Sequence, residues 1–338
     1  MLLVGGENII DLIAQSGPSD QIIFQAYEGG SPYNTALAAG LMKANVAYLT
    51  PLSTDHLGAC LYEKLKKAEV KHWGPRVPQQ TALALVTLVN GQASYQFYRQ
   101  SSADRQISVE NLSIQLTKGS ALHLGSLALT GDQDGEAWTK LYEMAKDQFG
   151  LFTSVDLNIR AHFIENPVSY LDRLERIMIT SDLIKLSDED LLWLSKHLLK
   201  QDLTQQSAEE IQESCLSLLD RYQPALFLLT LGSQGSCLWV KNSTKQSYTQ
   251  LKVPAYSSTQ IQDTVGAGDT FMGSFLALIQ PHLDDQSSSQ DPSVEQAYID
   301  KLEEILAYAS CAATMNCERS GCQPPELIAV KDRLILNN

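Results

Sequence analysis

The sequence predicts an α/β fold, a mainly parallel sheet with helices on both faces and a small antiparallel sheet attached. Three observations carry this. Strand-like and helix-like segments alternate through the second two-thirds of the chain, a rhythm that parallel sheets with helical crossovers require. The 338 residues, 44% hydrophobic and 19% charged, supply apolar material for a large core. The early run "TALALVTLVNGQASYQFYR" (81–99) breaks the rhythm: β-branched and aromatic residues flank Asn90-Gly91, a strong short-range hairpin signal.

In chain order, "MLLVGG" reads as a buried strand and "NIIDLIA" as a second one with Asp11 inside it. "SGPSD" (16–20) is a turn, and "QIIFQAYE" the returning strand. Pro32 to Met42 has helical periodicity, "VAYLTPL" is a short strand, and "TDHLGACLYEKLKKAE" an amphipathic helix with a basic outer face. Beyond the hairpin come the strand "SALHLGSLAL", a helix over 134–148, the strand "FTSVDLN", and a helix over 166–178. The strand "DLIKLS" and helices over 188–199 and 207–221 follow, then the strands "ALFLLTLG" and "GSCLWVK". In "DTFMGSFLALI", Phe271, Phe275 and Leu278/Ile279 recur at helical spacing, so a helix begins near Ala267. "LDDQSSSQDPS" (283–293) is a polar loop, and the last helix runs from about Val294 to Cys317. No repeat or interdomain linker interrupts the chain, which reads as one domain over 1–338.

The balance of 25 basic to 39 acidic residues, a net charge of −14, argues against nucleic acid or an anionic membrane as partner. Small anionic substrates are still admissible, because a local ring of N–H donors overrides the global field. Six cysteines (60, 215, 237, 311, 317 and 322) are scattered without a C-x-x-C pair, which fits reduced thiols in a cytoplasmic protein better than a zinc site. The opening "MLLVGGENIIDLI" lacks a basic n-region and is interrupted by Glu7 and Asp11, so it does not read as a signal peptide. No apolar run reaches membrane-spanning length, and a soluble protein is expected.

The chemistry concentrates in "QDTVGAGDTF" (262–271). At a helix start the N–H groups of Gly266, Ala267 and Gly268 are free, and with the helix dipole they form a phosphate-sized positive pocket. Glycine admits close approach of a ligand to the backbone. A dinucleotide fingerprint needs a third glycine where Phe271 stands, and a Walker loop needs Gly-Lys-Ser/Thr. The plain alternative is a glycine-rich helix entry with Asp269 as dipole partner. The chemical reading is that the pocket holds the terminal phosphates of a nucleotide. Asp269, one residue beyond, takes the proton of an acceptor hydroxyl as phosphoryl transfers. An ordinary aspartate, with a pKa of about 3.9, is ionised at neutral pH as this role requires.

"DTVGAGDTF" resembles the second signature of the ribokinase-like (PfkB) carbohydrate kinases, and "EGGSPYNTALAAGL" with "PLSTDHLG" resembles the first. The resemblance runs from "GENIIDL" to "CERSGCQPP". Within the family, "SYQFYRQSSADR", "HLGSLAL", "VDLNIR" and "IKLSDEDL" are similar to fructokinase segments in the same order. It implies the ribokinase-like three-layer sandwich, with lid strands from about 8–28 and 82–99. The implied activity is ATP-dependent phosphorylation of the fructose 6-hydroxyl, with Mg²⁺ bridging the ATP phosphates, K⁺ supporting the anion hole and a homodimer formed through the lid.

By the same resemblance Asp269 is the base, and Gly266, Ala267 and Gly268 form the anion hole. Asp11, Gly30 and Asn34 contact the sugar, Arg99 reaches over it from the lid, and Arg160 neutralises phosphate charge. Lys185, Ser187, Thr230, Gly232 and Gly235 belong to the nucleotide side. Asp190 organises water around Mg²⁺, while Asp263, Val265 and Gly321 hold the monovalent cation. The bland readings are an edge-strand position for Asp11, surface positions for Arg99 and Arg160, an ordinary strand–turn–strand for "TLGSQG" (230–235), and loop packing for the cation residues.

There are departures. Thr50 and Ser53 stand where the first signature carries glycines, Ser187 and Asp190 where an N-x-x-E motif is usual, and Cys322 where alanine is common. Other acceptors (aminoimidazole riboside, 2-keto-3-deoxygluconate, ribose) and a non-catalytic sugar- or nucleotide-binding relative stay open. A dehydrogenase rests on the glycines alone.

Overall fold

A computed structural model of the chain describes residues 1–15, 21, 23–89, 92–201, 207–242, 247–283 and 292–336. The expected turn at 16–20, the Asn90-Gly91 turn and most of the 283–293 loop lie outside the described residues. The central sheet has nine strands. From one edge these are Tyr248–Val253, Ser236–Lys241, Leu226–Thr230, Leu183–Ser187, Phe152–Asp156, Ala121–Gly125, Leu2–Val4, Val46–Tyr48 and Lys71–His72. All neighbours pair in parallel except at the Tyr248–Val253 edge, where two pairings are antiparallel. Inner strands such as Leu2–Val4 and Leu226–Thr230 are continuous apolar runs because helices cover both of their faces.

Alternate residues of each strand feed two cores. On one side Leu2, Val4, Leu183 and Leu226 pack with Tyr33 and Leu37 of helix Ser31–Leu41. Phe275 of helix Ala267–Ile279 and Leu306 of helix Pro292–Cys317 complete that core. On the other, Leu3, Leu122, Val155 and Ile184 pack with Trp138 of helix Asp132–Asp147, Leu174 of helix Pro167–Ile179 and Leu218 of helix Ala208–Tyr222. This is the three-layer sandwich expected from the alternation.

The small sheet has the order Ile23–Gly29, Ile9–Gln15, Ala82–Val89, Gln92–Tyr98. Two antiparallel pairs are joined through a parallel pairing of 9–13 with 82–86.

Some boundaries differ from the sequence reading. "SALHLGSLAL" is a strand only to Gly125. Ser126 turns left-handed at φ 57° and the chain enters a short 3-10 turn. The helix over 188–199 is α-helical to Leu194 and closes in a wider turn over Ser195–Leu199. The last helix is not the one ending at Cys317. A further helix, Leu327–Leu336, follows the "QPPE" break and buries Val330 against the first core. Edge strand Tyr248–Val253 and helix Val109–Leu116 were also missed, being short and only partly buried.

Candidate active site

In open α/β sheets ligands bind beyond the carboxyl ends of the parallel strands, and the predicted site residues gather there. Gly266 caps helix Ala267–Ile279 at φ 71°, a left-handed conformation that glycine adopts without penalty. A Cβ at this position would collide with the Cys322 sulfur, so the N–H turn is pressed onto the C-terminal loop. Asp269 lies in the first turn of the helix. Its Oδ1 accepts a hydrogen bond from Ser31 Oγ at 2.7 Å and its Oδ2 one from Asn34 Nδ2 at 2.8 Å. Both donors sit at the start of helix Ser31–Leu41, so two facing helix starts fix the orientation of one carboxylate. Asn34 was predicted from sequence, whereas Ser31 was not. Its signal was its place three residues before Asn34, one helical turn away.

Asp11 enters from the small sheet, its carboxylate against the Cα of Gly29, where a Cβ would strike it. Burial first, and then repulsion by Asp269, push its carboxyl up from 3.8 to about 6. A pair of carboxylates facing one space can accept hydrogen bonds from vicinal hydroxyls, which donate to both and separate their charges. Gly30 holds φ 105°, and a Cβ there would come within 2.7 Å of the Glu7 carbonyl oxygen.

On the other side of the anion hole stands a buried ion pair, Lys185 Nζ to Asp156 Oδ2 at 2.7 Å. Lys185 Nζ also reaches the helix start, since a Cβ on Gly268 would lie 3.4 Å from it. Burial pushes the Asp156 carboxyl up to about 6 against the pull of Lys185. The structure therefore delivers a cation to the place where the sequence put phosphate. Asp156 was missed as a site residue, although it ends the parallel strand Phe152–Asp156 at the edge where such sites form.

Thr230 pairs in register with Ser187 at the ends of adjacent strands, and the turn beyond it uses left-handed glycines, Gly232 at φ 53° and Gly235 at φ 96°. The space beside Gly232 is open and Gly235 is packed on Val253. Ser187 and Asp190 form a capping box on helix Asp188–Leu194, and Asp190 Oδ1 also accepts from the Ile159 N–H at 2.6 Å. Asp190 thus spends its carboxylate on the protein first. Asp156 Oδ1, buried and without a hydrogen-bond partner, is the freer oxygen. Among the described residues no group of three His, Cys, Asp or Glu side chains is arranged to hold a metal by itself. One or two carboxylates, with water and substrate phosphates, are the donor set that suits Mg²⁺.

Asp263, Val265 and Gly321 do come together. Asp263 Oδ1 accepts from the Val265 N–H and Oδ2 from the Gly321 N–H, each at 2.9 Å. Asn316, unnoticed in the sequence, donates to the Val265 carbonyl at 2.8 Å and accepts from the Gln323 N–H at 2.7 Å, tying the two loops.

Arg99, expected to reach over the sugar from the lid, is committed to partners within the protein. It is buried against Asp104 at 2.6 Å and donates to the Leu127 carbonyl at 3.2 Å, so it anchors the base of the small sheet. Arg160 is exposed beyond strand Phe152–Asp156 and donates to the carbonyl of Ile159. Thr50 accepts from the Gly6 N–H at 2.9 Å and Ser53 from the Asp55 N–H at 3.0 Å, so both departures from glycine brace turns. All six cysteines are free thiols. Among the described residues no helix is long and apolar enough to cross a membrane.

A helix start with a carboxylate beside it and a second carboxylate on a projecting sheet is the arrangement that the sequence reading expected of a sugar kinase. The chain belongs to the pfkB family of carbohydrate kinases, whose model matches residues 1–329. A fructokinase from Rhizobium leguminosarum bv. trifolii is 32% identical over 281 residues, covering 83% of this chain and 80% of that protein. Probable fructokinase-3 of Arabidopsis thaliana is 30% identical over 94% of this chain and 86% of its own. Among solved structures, Xylella fastidiosa fructokinase with bound ATP superposes with a TM-score of 0.79 at 25% identity, covering 99% of this chain and 98% of that one. A Vibrio cholerae O395 fructokinase structure in fructose-, ADP- and calcium-bound form shares the fold, with a TM-score of 0.74 at 22% identity over 98% and 97% of the chains.

Proposed function

We propose that this sugar kinase phosphorylates fructose on its 6-hydroxyl, using ATP and giving fructose 6-phosphate. The observation that carries the proposal is the Asp269 carboxylate, gripped by Ser31 and Asn34 beside the helix start at Gly266–Gly268, where the Ala267 N–H is held by the Thr264 carbonyl at 3.2 Å. The sugar lies between Asp11 and Asp269, its 6-hydroxyl on Asp269. The hydroxyl proton passes to Asp269 as O6 bonds to the γ-phosphorus and the bond to the β-phosphate oxygen breaks, leaving ADP. The anion-hole N–H groups and Lys185 stabilise charge on the transferring group. Thr230, Gly232 and Gly235 face the nucleotide, and the exposed Arg160 neutralises charge on its phosphates. Gly30 gives the sugar close access to the backbone.

Asp156 and Asp190 are the residues that would hold Mg²⁺, through water, and the ion would supply positive charge against the phosphates. Asp263, Val265 and the Gly321 carbonyl would hold K⁺ and so stiffen the turn ahead of the anion hole. The small sheet acts as a lid that keeps out water, a competing acceptor. Its edges pair two chains in a homodimer. The whole chain works as one kinase unit, and its free thiols suit the cytoplasm. The fructokinases at about 30% identity support fructose as the acceptor.

The test is ADP release with fructose, ribose, 2-keto-3-deoxygluconate and aminoimidazole riboside, in K⁺ and in Na⁺. Fructose should give the highest kcat/KM, with the phosphate on O6, and K⁺ should outperform Na⁺. A better acceptor overturns fructose, and silence with every sugar favours a binding-only relative. Indifference to the cation removes the K⁺ site.

Asp11 supplies a second test. Replacing it with Asn should raise KM for fructose about 10-fold or more, the worth of a hydrogen bond to a charged group. Its folded-state value lies above the unfolded one, so the stability linked to its proton is full below about 3.8 and lost as pH rises through about 6. Asp11→Asn should therefore be more stable than wild type at pH 8, by up to about 3 kcal/mol, in urea denaturation. A less stable variant contradicts that burial cost.

A further inference from the structure

Glu7 lies behind Ser31, on the side away from Asp269. It is 1% exposed at the end of the first strand's loop, held there by its neighbours: Thr50 accepts from the Gly6 N–H, and the Tyr48 hydroxyl donates to the Glu7 carbonyl at 3.0 Å. Its Oε1 accepts the Ser31 N–H at 3.0 Å, and its Oε2 is buried without a hydrogen-bond partner. The Ser31 hydroxyl in turn donates to Asp269. A continuous path thus runs from a buried carboxylate, through the start of helix Ser31–Leu41, to the oxygen that receives the substrate proton.

We propose that Glu7 is a positioning residue whose ionised carboxylate pins the start of helix Ser31–Leu41, so that Ser31 and Asn34 together aim Asp269 at the acceptor hydroxyl. This rests on the reading of Asp269 as the base. A negative charge is the favourable partner for a helix N-terminus, and an ionised acceptor holds an N–H about twice as strongly as a neutral one. Loss of that charge loosens Ser31, and a base misplaced by a fraction of an ångström loses turnover rather than affinity.

The groups facing Glu7 decide when it is charged. Arg99, beyond strand Gln92–Tyr98, favours the ionised form, and Asp104 on the following turn opposes it. Arg99 is itself shared with Asp104 at 2.6 Å and Asp134 at 3.6 Å, so it only partly offsets burial. The Tyr48 hydroxyl and the Ser31 N–H are the other polar neighbours. Burial, the largest influence, lifts the carboxyl from 4.5 to about 7. Glu7 is therefore charged above neutrality and neutral below it, which is the direction in which the site should switch on.

The experiment measures kcat and KM for fructose from pH 5.5 to 9 in wild type, Glu7→Gln, Ser31→Ala and the double variant, with Asp269→Asn as reference. Wild-type kcat should rise through a group near 7. Glu7→Gln, a neutral isostere, should lose that rise, with kcat at pH 8 down about 10-fold and KM changed less than about 2-fold. If Glu7 acts through Ser31, the double variant should be little worse than Ser31→Ala alone.

An unchanged pH profile in Glu7→Gln, or fully additive losses, overturns the proposal while an inactive Asp269→Asn leaves the base in place. An active Asp269→Asn overturns both. Should Glu7→Gln fail to fold, the wild-type step near 7 must still shrink in Ser31→Ala, and its persistence at full height overturns the link.

Discussion

Asp269→Asn should lower kcat by roughly 10²–10⁴-fold while leaving KM for fructose and ATP within a few-fold, because a positioned general base is worth about that much. Asparagine keeps the shape and still accepts from Ser31 or Asn34 through one oxygen, so the fold and the approach of the two helix starts are retained. It has no basic oxygen for the acceptor proton, and the N–H groups of the anion hole still polarise phosphate without it. Steady-state kinetics with sugar and ATP varied in turn, and a thermal melt to verify folding, give the answer. A variant with wild-type turnover removes the base from the mechanism. A variant with wild-type kcat and a large KM would make Asp269 a sugar-binding residue only.

The second large effect is expected at Gly266. Alanine there would have to hold φ near 71°, which costs an L-residue about 1–2 kcal/mol. Its methyl would also collide with the Cys322 sulfur. The turn can yield only by rotating the N–H groups of Ala267 and Gly268 away from the phosphate position. Loss of one such donor typically lowers kcat by about 10²–10³-fold. Gly266→Ala should therefore lose turnover on that scale along with some thermal stability. Trimming the neighbour, Gly266→Ala with Cys322→Gly, should recover part of the stability and part of the rate, since it removes the collision but not the backbone strain. An active single variant would show that the phosphate does not rely on this turn.

The fold was legible wherever apolar period and length agreed. The strand "LFLLT" and the helix from Ala267 are apolar patterns bounded by polar or glycine punctuation, and they fold where that pattern places them. Elements with little burial gave no comparable signal. The edge strand Tyr248–Val253 alternates half-exposed residues, and helix Val109–Leu116 buries only Leu112 and Leu116. "HLGSLAL" misled because its apolar run continues through Ser126, where the backbone turns left-handed rather than the composition changing.

The site divided in the same manner. Residues within one short motif, such as Gly266 to Asp269, are neighbours along the chain, so the sequence alone brings them together. Ser31, Glu7, Asp156 and Asn316 act on partners 24 to 238 positions away, a distance only the fold closes. Arg99 shows the converse: its strand was placed correctly, and a buried Asp104 five residues on, unsuspected in the sequence, captures the guanidinium.

A crystal structure of the chain with fructose and a non-hydrolysable ATP analogue tests the arrangement most directly. The fructose 6-hydroxyl should lie about 2.6–3.2 Å from an Asp269 carboxylate oxygen, with the terminal phosphate on the N–H groups of Gly266, Ala267 and Gly268. A terminal phosphate bound away from that turn, or a sugar whose nearest hydroxyl is out of reach of Asp269, would contradict it.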